Sequence, residues 1–400
     1  MNLKNNIEKP DVVILAGGKG SRISKYTNYK QKCSAIINKK PFINYLINHV
    51  SKYEINRIFI LVGYKPDKII RNYDNKIKNF RKIKCITEKK PLGTGGALYQ
   101  LKKYKINNFY LLNGDTILDI DLSKLSKKIS KNSLGIMSII KNYNYKSNKQ
   151  LAKLNIKNRK VIYSKNQNLM NGGVYYFKKK FLKKIQNKKI SLEKEILPNL
   201  IKKNKIDGKI FKESFFIDIG TPGSFAEAEK KINKFIKKPA VFFDRDGVIN
   251  YDYGYVSKFK DFKIKPGVIK SLKLLIKKKY HIFIITNQAG IAKNKFSLSD
   301  FEKLNLQFKE YLSKKKVFID DIKFCPHHPS GTIKKYKKKC KCRKPSNKMI
   351  TDTIKEWDID LNKSLMIGDK ITDELCAKKS GIKFYYAKKN LLSLIKNVIK

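Results

Sequence analysis

Apolar residues fall along this chain in short continuous runs, separated by longer amphipathic stretches. DVVILAGG (11–18), RIFILVG (57–63), NNFYLLNGD (107–115), SLGIMSII (133–140) and GGVYYF (172–177) have the length and the β-branched and aromatic content of strands. Helical stretches such as PFINYLINHVSKY (41–53) lie between them. This alternation predicts an α/β domain on a mainly parallel sheet. Near Phe225 the pattern becomes a helix, SFAEAEKKINKFIKK, ending just before Pro239. A second series then begins with the strand AVFFDRD (240–246) and continues with the strand HIFIITN (281–287). A helix from about Ser297 to Lys315 follows, then the strand SLMIGD (364–369) and a helix in ITDELCAKKSG (371–381). Two domains are expected, 1–236 and 237–400.

Composition agrees with that division. Four hundred residues are long for one core, and 41% hydrophobic residues suffice for two. The formal charge of +59 raises the question of nucleic acid. Lysine, however, is spread along the whole chain, and arginine occurs only at 22, 57, 71, 81, 159, 245 and 343. That distribution describes solvated faces rather than a binding arm, so no nucleic-acid partner is expected. The surplus still favours anionic small substrates. The opening MNLKNNIEKP has no apolar signal-like region, and no apolar run is long enough to span a membrane. Cys33, Cys85 and Cys376 are scattered singly. A cytoplasmic protein without a membrane partner is expected; the pattern specifies no oligomeric state.

Chemistry-bearing residues cluster at predicted strand ends. In the first domain Gly17, Gly18 and Gly20 follow a strand and let the backbone approach a polyphosphate. Arg22 and Lys32 add cations, and Asp115 and Asp218 place carboxylates at strand ends, where magnesium prefers oxygen ligands. Taken singly, each could be a turn residue or a helix cap. LAGGKGSR, EKKPLGTGGAL (88–98), NGDT, NGGVYYF (171–177), SLEKEILP (191–198) and FIDIGTP together resemble the sugar-1-phosphate nucleotidyltransferase family over about residues 11–235. Within it they are most similar to the guanylyltransferases acting on D-glycero-D-manno-heptose 1-phosphate. The resemblance implies GTP and heptose 1-phosphate as substrates, Asp115 and Asp218 as magnesium ligands, and Arg22 and Lys32 as catalytic cations. It also implies a nucleotide site of Leu15, Ala16, Gly17, Gly18, Glu88, Gly93 and Thr94, and sugar contacts from Asn171, Gly172 and Glu193. Where the family has Pro-Lys-Pro, this chain has Gln31-Lys32-Cys33, a change expected to loosen the loop.

In the second domain DRDG at 244–247 sets two carboxylates two residues apart at a strand end. One can attack phosphorus while the other handles the leaving group's proton. Thr286 ends the next strand, and Lys344 and Asp369 follow. This order of nucleophile, Thr, Lys and a late Gly-Asp resembles the haloacid dehalogenase superfamily over about residues 240–390. GYV (254–256), TNQAGIA, CPHHP, CKCRKP and GDKITD are similar within it to the D-glycero-D-manno-heptose 1,7-bisphosphate 7-phosphatases. Histidinol-phosphate phosphatases share the aspartates and a similar zinc loop. The resemblance implies an aspartyl-phosphate on Asp244 and Asp246 as general acid, then base. Magnesium would be held by Asp244, Asp369 and the carbonyl of Asp246, and phosphate by Thr286, Asn287, Gln288, Arg343, Lys344 and Lys370. Asp373 reads equally as a metal-side carboxylate or as an acid in a first helical turn. His49, His281 and Trp357 read as packing residues.

The spacing C-x-H-x12-C-x-C offers Cys325, His327, Cys340 and Cys342 as a closed tetrahedral zinc set. A disulfide, the other reading, leaves an odd cysteine. A structural zinc here would brace Arg343 and Lys344. The expected fold class is α/β: two Rossmann-like domains, an N-terminal nucleotidyltransferase mixed sheet of GT-A type and a C-terminal haloacid-dehalogenase-like parallel sheet with a zinc loop. The expected function is a bifunctional enzyme of GDP-D-glycero-α-D-manno-heptose synthesis, removing the 7-phosphate of heptose 1,7-bisphosphate and then transferring GMP from GTP to heptose 1-phosphate. The alternative is a phosphatase carrying a regulatory or differently specific nucleotidyltransferase domain.

Overall fold

A computed structural model describes residues 8–27, 31–141, 152–164, 169–212, 214–388 and 390–399. The chain divides into two compact units, Met1–Lys231 and Ile232–Lys400. In the first unit, besides a two-residue pair at Ile36–Ile37 and Lys40–Pro41, the strands are β1 (Asp11–Ala16), β2 (Ile58–Val62), β3 (Ile77–Lys78), β4 (Arg81–Thr87), β5 (Phe109–Asn113) and β6 (Thr116–Leu118). They continue with β7 (Gly135–Lys141), β8 (Ala152–Lys157), β9 (Lys160–Tyr163), β10 (Leu169–Phe177), β11 (Ile206–Phe211) and β12 (Phe216–Asp218). The main sheet has the order β8-β9-β11-β7-β10-β5-β1-β2-β4-β3, and β12 pairs with β6 in a separate ribbon.

The strands β1, β2 and β5 are buried nearly throughout, which is why they read as unbroken apolar runs and not as an alternation. With β4 they form a parallel block. The sheet as a whole is mixed, however, and not mainly parallel. β10 runs antiparallel to both its neighbours, β5 and β7. Asn158 and Arg159, both at positive φ, close β8 and β9 as a two-residue hairpin, a connection that joins antiparallel partners. Phe109, Tyr175, Phe177 and Phe181 are fully buried and pack where β10 lies beside β5. Each such ring contributes about 1.5–3 kcal/mol by burial. Helix α1 (Phe42–Ser51) follows the expected apolar stretch, and α2 (Pro222–Phe235) spans the division between the units.

The second unit has β13 (Ala240–Phe243), β14 (His281–Asn287), β15 (Asp321–Cys325), β16 (Leu365–Gly368) and β17 (Lys383–Tyr386). They form one parallel sheet, β15-β14-β13-β16-β17. Helices α3 (Val268–Lys277), α4 (Leu298–Lys314), α5 (Lys348–Glu356) and α6 (Ile371–Lys379) connect these strands. α4 starts on a capping box between Ser297 and Asp300. Trp357 is buried, edge-on to His281 and Phe283, while His281 also lies 3.2 Å from Asp320. Both are packing residues. Strand order reverses at β13, so Asp244, Thr286 and Asp369 emerge from three adjacent strand ends beside the crevice that such a reversal creates. Among the described residues no helix is long and apolar enough to cross a membrane.

Candidate active sites

In the first unit a cavity of about 340 Å³ opens where β1 gives way to the glycine turn. Leu15, Ala16, Gly17, Gly18, Glu88, Gly93 and Thr94 line it, together with Lys32, Asp115 and Glu193. Gly93 sits at φ +75°, and a Cβ there would lie 2.8 Å from the Ile190 carbonyl oxygen, so a side chain fits neither the backbone nor the space. Burial raises the pKa of Glu88, against a hydrogen bond from the Leu92 backbone. Thr94 Oγ1 donates to Glu193 Oε2 at 2.7 Å and accepts from Leu192 N at 2.9 Å, which ties Glu193 to the nucleotide end of the cavity.

Asp115 follows β5, and Asp218 ends β12 opposite Thr116 of β6, so the ribbon brings the two carboxylates side by side. Lys32 pairs with Asp115 and stands 3.8 Å from Asp218. Burial and then the Asp115 charge raise the pKa of Asp218, while Lys32, a backbone hydrogen bond from Gly220 and Arg22 pull it down. Two carboxylates facing a shared cation form a donor set that suits magnesium. Arg22 is exposed and does not line the cavity. Asn171 and Gly172 are also off its wall: Asn171 accepts from Gly173 N at 2.9 Å and donates to the Tyr175 hydroxyl at 2.5 Å. Gln31 and Cys33, in place of the prolines, are almost fully buried on either side of Lys32. Sequence reasoning missed Asn113. It lines the cavity with a buried Oδ1 that lacks a hydrogen-bond partner, and its only signal was its place in NGDT.

In the second unit the side chains converge more tightly. Lys344 Nζ lies 2.7 Å from Asp244 Oδ1 and 2.6 Å from Asp373 Oδ1, and it donates to the Ile285 carbonyl at 2.8 Å. Burial pushes the Asp244 carboxyl up to about 7; Lys344 pulls it down, and Asp373 adds to the rise. Burial lowers the pKa of Lys344, and the two carboxylates more than reverse that. Asp373 takes the place of an acid in the first turn of α6, its Oδ2 accepting from Asp369 N and Lys370 N at 3.2 Å, while its Oδ1 meets Lys344. One oxygen from each of Asp244, Asp369 and Asp373 lies within 4.8 Å of the others, and Asp369 Oδ1 is buried without a hydrogen-bond partner. Three carboxylates against one lysine suit a divalent cation. Gly247, at φ +87°, is required here, since a Cβ would lie 2.1 Å from Asp369 Oδ2.

The side chain of Asp246 is outside that oxygen cluster. It faces Arg245, Asn250 and Gln288. Gln288 also donates to Thr286 Oγ1 at 2.9 Å. Asn287 spends its amide on the Lys344 backbone, accepting from its N at 3.0 Å and donating to its O at 3.1 Å. That makes Asn287 an anchor for the lysine rather than a free phosphate ligand. Lys370 is exposed and pairs with Asp252 at 3.2 Å. Arg343 Nη1 turns back to the His327 carbonyl at 3.4 Å. Arg245 and Asn250 were missed by sequence reasoning, although both lie within DRDGVIN.

Cys325, His327, Cys340 and Cys342 form one cluster, with Cys325 at the end of β15. Sulfur separations are 3.1 Å (Cys342–Cys325), 3.3 Å (Cys342–Cys340) and 3.4 Å (Cys325–Cys340), and His327 Nδ1 lies 3.3 Å from Cys342 Sγ. A disulfide needs ~2.0 Å, and a tetrahedron with zinc–sulfur bonds of ~2.3 Å has edges of ~3.8 Å. The cysteines are free thiols in a set that suits zinc.

Residues 11–234 match the nucleotidyl transferase family, and residues 239–389 match a family described as polynucleotide kinase 3 phosphatase. A D-glycero-beta-D-manno-heptose-1,7-bisphosphate 7-phosphatase of Rhodopseudomonas palustris is 41% identical over 146 residues, 36% of this chain and 81% of that one. The phosphatase of the same name from Photorhabdus laumondii is 45% identical over 144 residues, 36% of this chain and 77% of that one. The crystal structure of HddC from Yersinia pseudotuberculosis superposes with a TM-score of 0.46 at 29% identity, covering 56% of this chain and 99% of that one. The chain therefore belongs to the nucleotidyl transferase family through residues 11–234 and, through its second unit, to the family of those phosphatases: it is an enzyme with a nucleotidyltransferase half and a phosphatase half.

Proposed function

We propose that the chain carries two consecutive steps of nucleotide-activated heptose synthesis. The phosphatase unit removes the 7-phosphate of D-glycero-D-manno-heptose 1,7-bisphosphate. The nucleotidyltransferase unit then joins the resulting heptose 1-phosphate to GMP from GTP, releasing pyrophosphate. The pairing itself carries this reading: relatives 41–45% identical to the second unit are named for the heptose bisphosphate, and its dephosphorylated product is a sugar 1-phosphate, the substrate class of the first unit's fold.

In the phosphatase, an Asp244 oxygen attacks phosphorus, and the bond from phosphorus to the C7 oxygen breaks. Asp246 protonates that departing oxygen. Asp246 then takes a proton from water, which attacks the aspartyl-phosphate, freeing phosphate and restoring Asp244. The buried Lys344 fixes Asp244 and balances its charge. Asp244, Asp369 and the Asp246 carbonyl would hold magnesium, which would supply charge neutralisation at the phosphate. In the transferase, Lys32 and Arg22 offset the charge developing at the α-phosphate as the sugar phosphate oxygen attacks it. Asp115 and Asp218 would hold magnesium, which would add to that neutralisation. Cys325, His327, Cys340 and Cys342 would hold a structural zinc, which would fix the loop that ends in Lys344.

The test gives pure protein magnesium, GTP and either anomer of heptose 1,7-bisphosphate; the relatives are named for the β substrate, whereas the pairing with GTP points to α. Phosphate, pyrophosphate and a GDP-sugar are expected together. Phosphate without any nucleotide-sugar, across a panel of nucleoside triphosphates, rejects the bifunctional reading. Lys32→Met should abolish only the GDP-sugar.

A further inference from the structure

Arg245 lies between the two catalytic aspartates, yet its side chain is only 1% exposed. Its guanidinium lies over the rings of Phe262 and Phe301, 5.7 and 5.5 Å from their centroids. Nε and Nη2 both face the Asp246 carboxylate, at 2.9–3.1 Å from its two oxygens. Nη2 also reaches Gln288 Oε1 at 3.2 Å and the Val256 carbonyl at 3.3 Å. Two amides complete the cradle: Asn250 Nδ2 donates to Asp246 Oδ1 at 2.9 Å, and Gln288 Nε2 donates to Asp246 Oδ2 at 3.0 Å.

The Asp246 carboxylate is thus held on both oxygens by three side chains. The bidentate fork of Arg245 and the two amides leave Asp246 one arrangement. Buried against both rings, the guanidinium is packed in place, and its planar fork sets the plane of the carboxylate as a lysine could not. We infer that Arg245 is a positioning residue for proton transfer: it sets the place and plane from which Asp246 meets the leaving oxygen. This rests on the reading of Asp246 as the proton donor. Nothing in the DRDG pattern alone distinguishes such an arginine from a spacer, because its partners Val256 and Gln288 lie 11 and 43 residues away.

A leaving-group comparison tests it in the full-length enzyme. A sugar phosphate expels an alkoxide that needs a proton, whereas p-nitrophenyl phosphate expels a phenolate that leaves without one. kcat/KM reports the steps up to that departure, and the alkyl-to-aryl ratio within one preparation is independent of the fraction folded. Asp246→Asn should lower the ratio about 100-fold, the scale of general acid catalysis. Arg245→Lys and Arg245→Met should lower it in the same direction by at least about tenfold, a positional loss of the same kind, with zinc content unchanged. If Asp246→Asn lowers the ratio while both Arg245 variants keep the wild-type value, even with both rates reduced, Arg245 is merely structural and the inference falls. If Asp246→Asn itself leaves the ratio unchanged, the proton-donor reading fails and takes the inference with it.

Discussion

Replacing Lys344 with Met would put the charge balance of the phosphatase centre to a direct test. The side chain is 2% exposed and its ammonium is shared between Asp244 and Asp373, both buried. Methionine preserves most of the volume but leaves two carboxylates facing each other without a cation. Breaking a buried ion pair by removing one partner costs about 3–5 kcal/mol. For a unit of this size each kcal/mol moves the melting temperature by about 2–4 °C, so a drop of roughly 6–20 °C is expected. Trp357 is the chain's single tryptophan and sits in the core of the second unit, so its fluorescence follows that unit alone. The decisive step is the double variant. Asp373→Asn on top of Lys344→Met removes one of the stranded charges, while the Asn side-chain oxygen can still accept at the start of α6. It should recover part of the lost melting temperature, giving a coupling of about 0.5–3 kcal/mol, without recovering phosphatase activity. A Lys344→Met enzyme that melts within 2 °C of the parent, or a second substitution that only adds to the loss, would refute the picture of one lysine neutralising two acids.

Cys340→Ala should lose zinc, measured by atomic absorption, and phosphatase activity, while nucleotidyl transfer persists; a zinc-free variant that hydrolyses substrate normally refutes the brace. Gly247→Ala should drive a Cβ into Asp369 Oδ2 and cut phosphate release by about 100-fold, the usual cost of an ångström of misplacement; wild-type turnover rules this out. In the first unit burial raises the pKa of Asp207, but hydrogen bonds from Lys160, Ser133 and Ser130 outweigh it and hold the pKa below the usual carboxylate value. The unfolded chain then binds the extra proton, so this stabilisation is complete above about pH 4–5 and is lost as pH falls through the folded value. Asp207→Asn should lower the first unit's melting temperature at neutral pH and flatten its acid limb, read by calorimetry in the transition without a Trp357 signal; an unchanged acid slope contradicts it.

Much of this enzyme is legible from order along the chain. Strands buried on both faces announce themselves as apolar runs, and a carboxylate directly after such a run stands at a strand end whatever the sheet's order; Asp115, Asp244 and Asp369 could be picked out on that ground. Four soft ligands within eighteen residues identify the zinc set for the same reason, since a short loop keeps near neighbours near. What the sequence could not contain is which distant groups share a charge. Lys344 finds Asp244 across a hundred residues of chain because Asn287 and the Ile285 carbonyl of β14, the neighbour of β13, hold the loop that carries it. Asp373 could not be assigned between helix acid and site acid because one carboxylate has two oxygens, and only the fold showed each doing one task. The mixed sheet of the first unit came from a two-residue hairpin and the antiparallel β10, neither marked by apolar periodicity. Sequence set which residues stand at strand ends; tertiary structure decided which of them face one another, because a buried charge is stable only beside its counterpart and packing alone brings the two together.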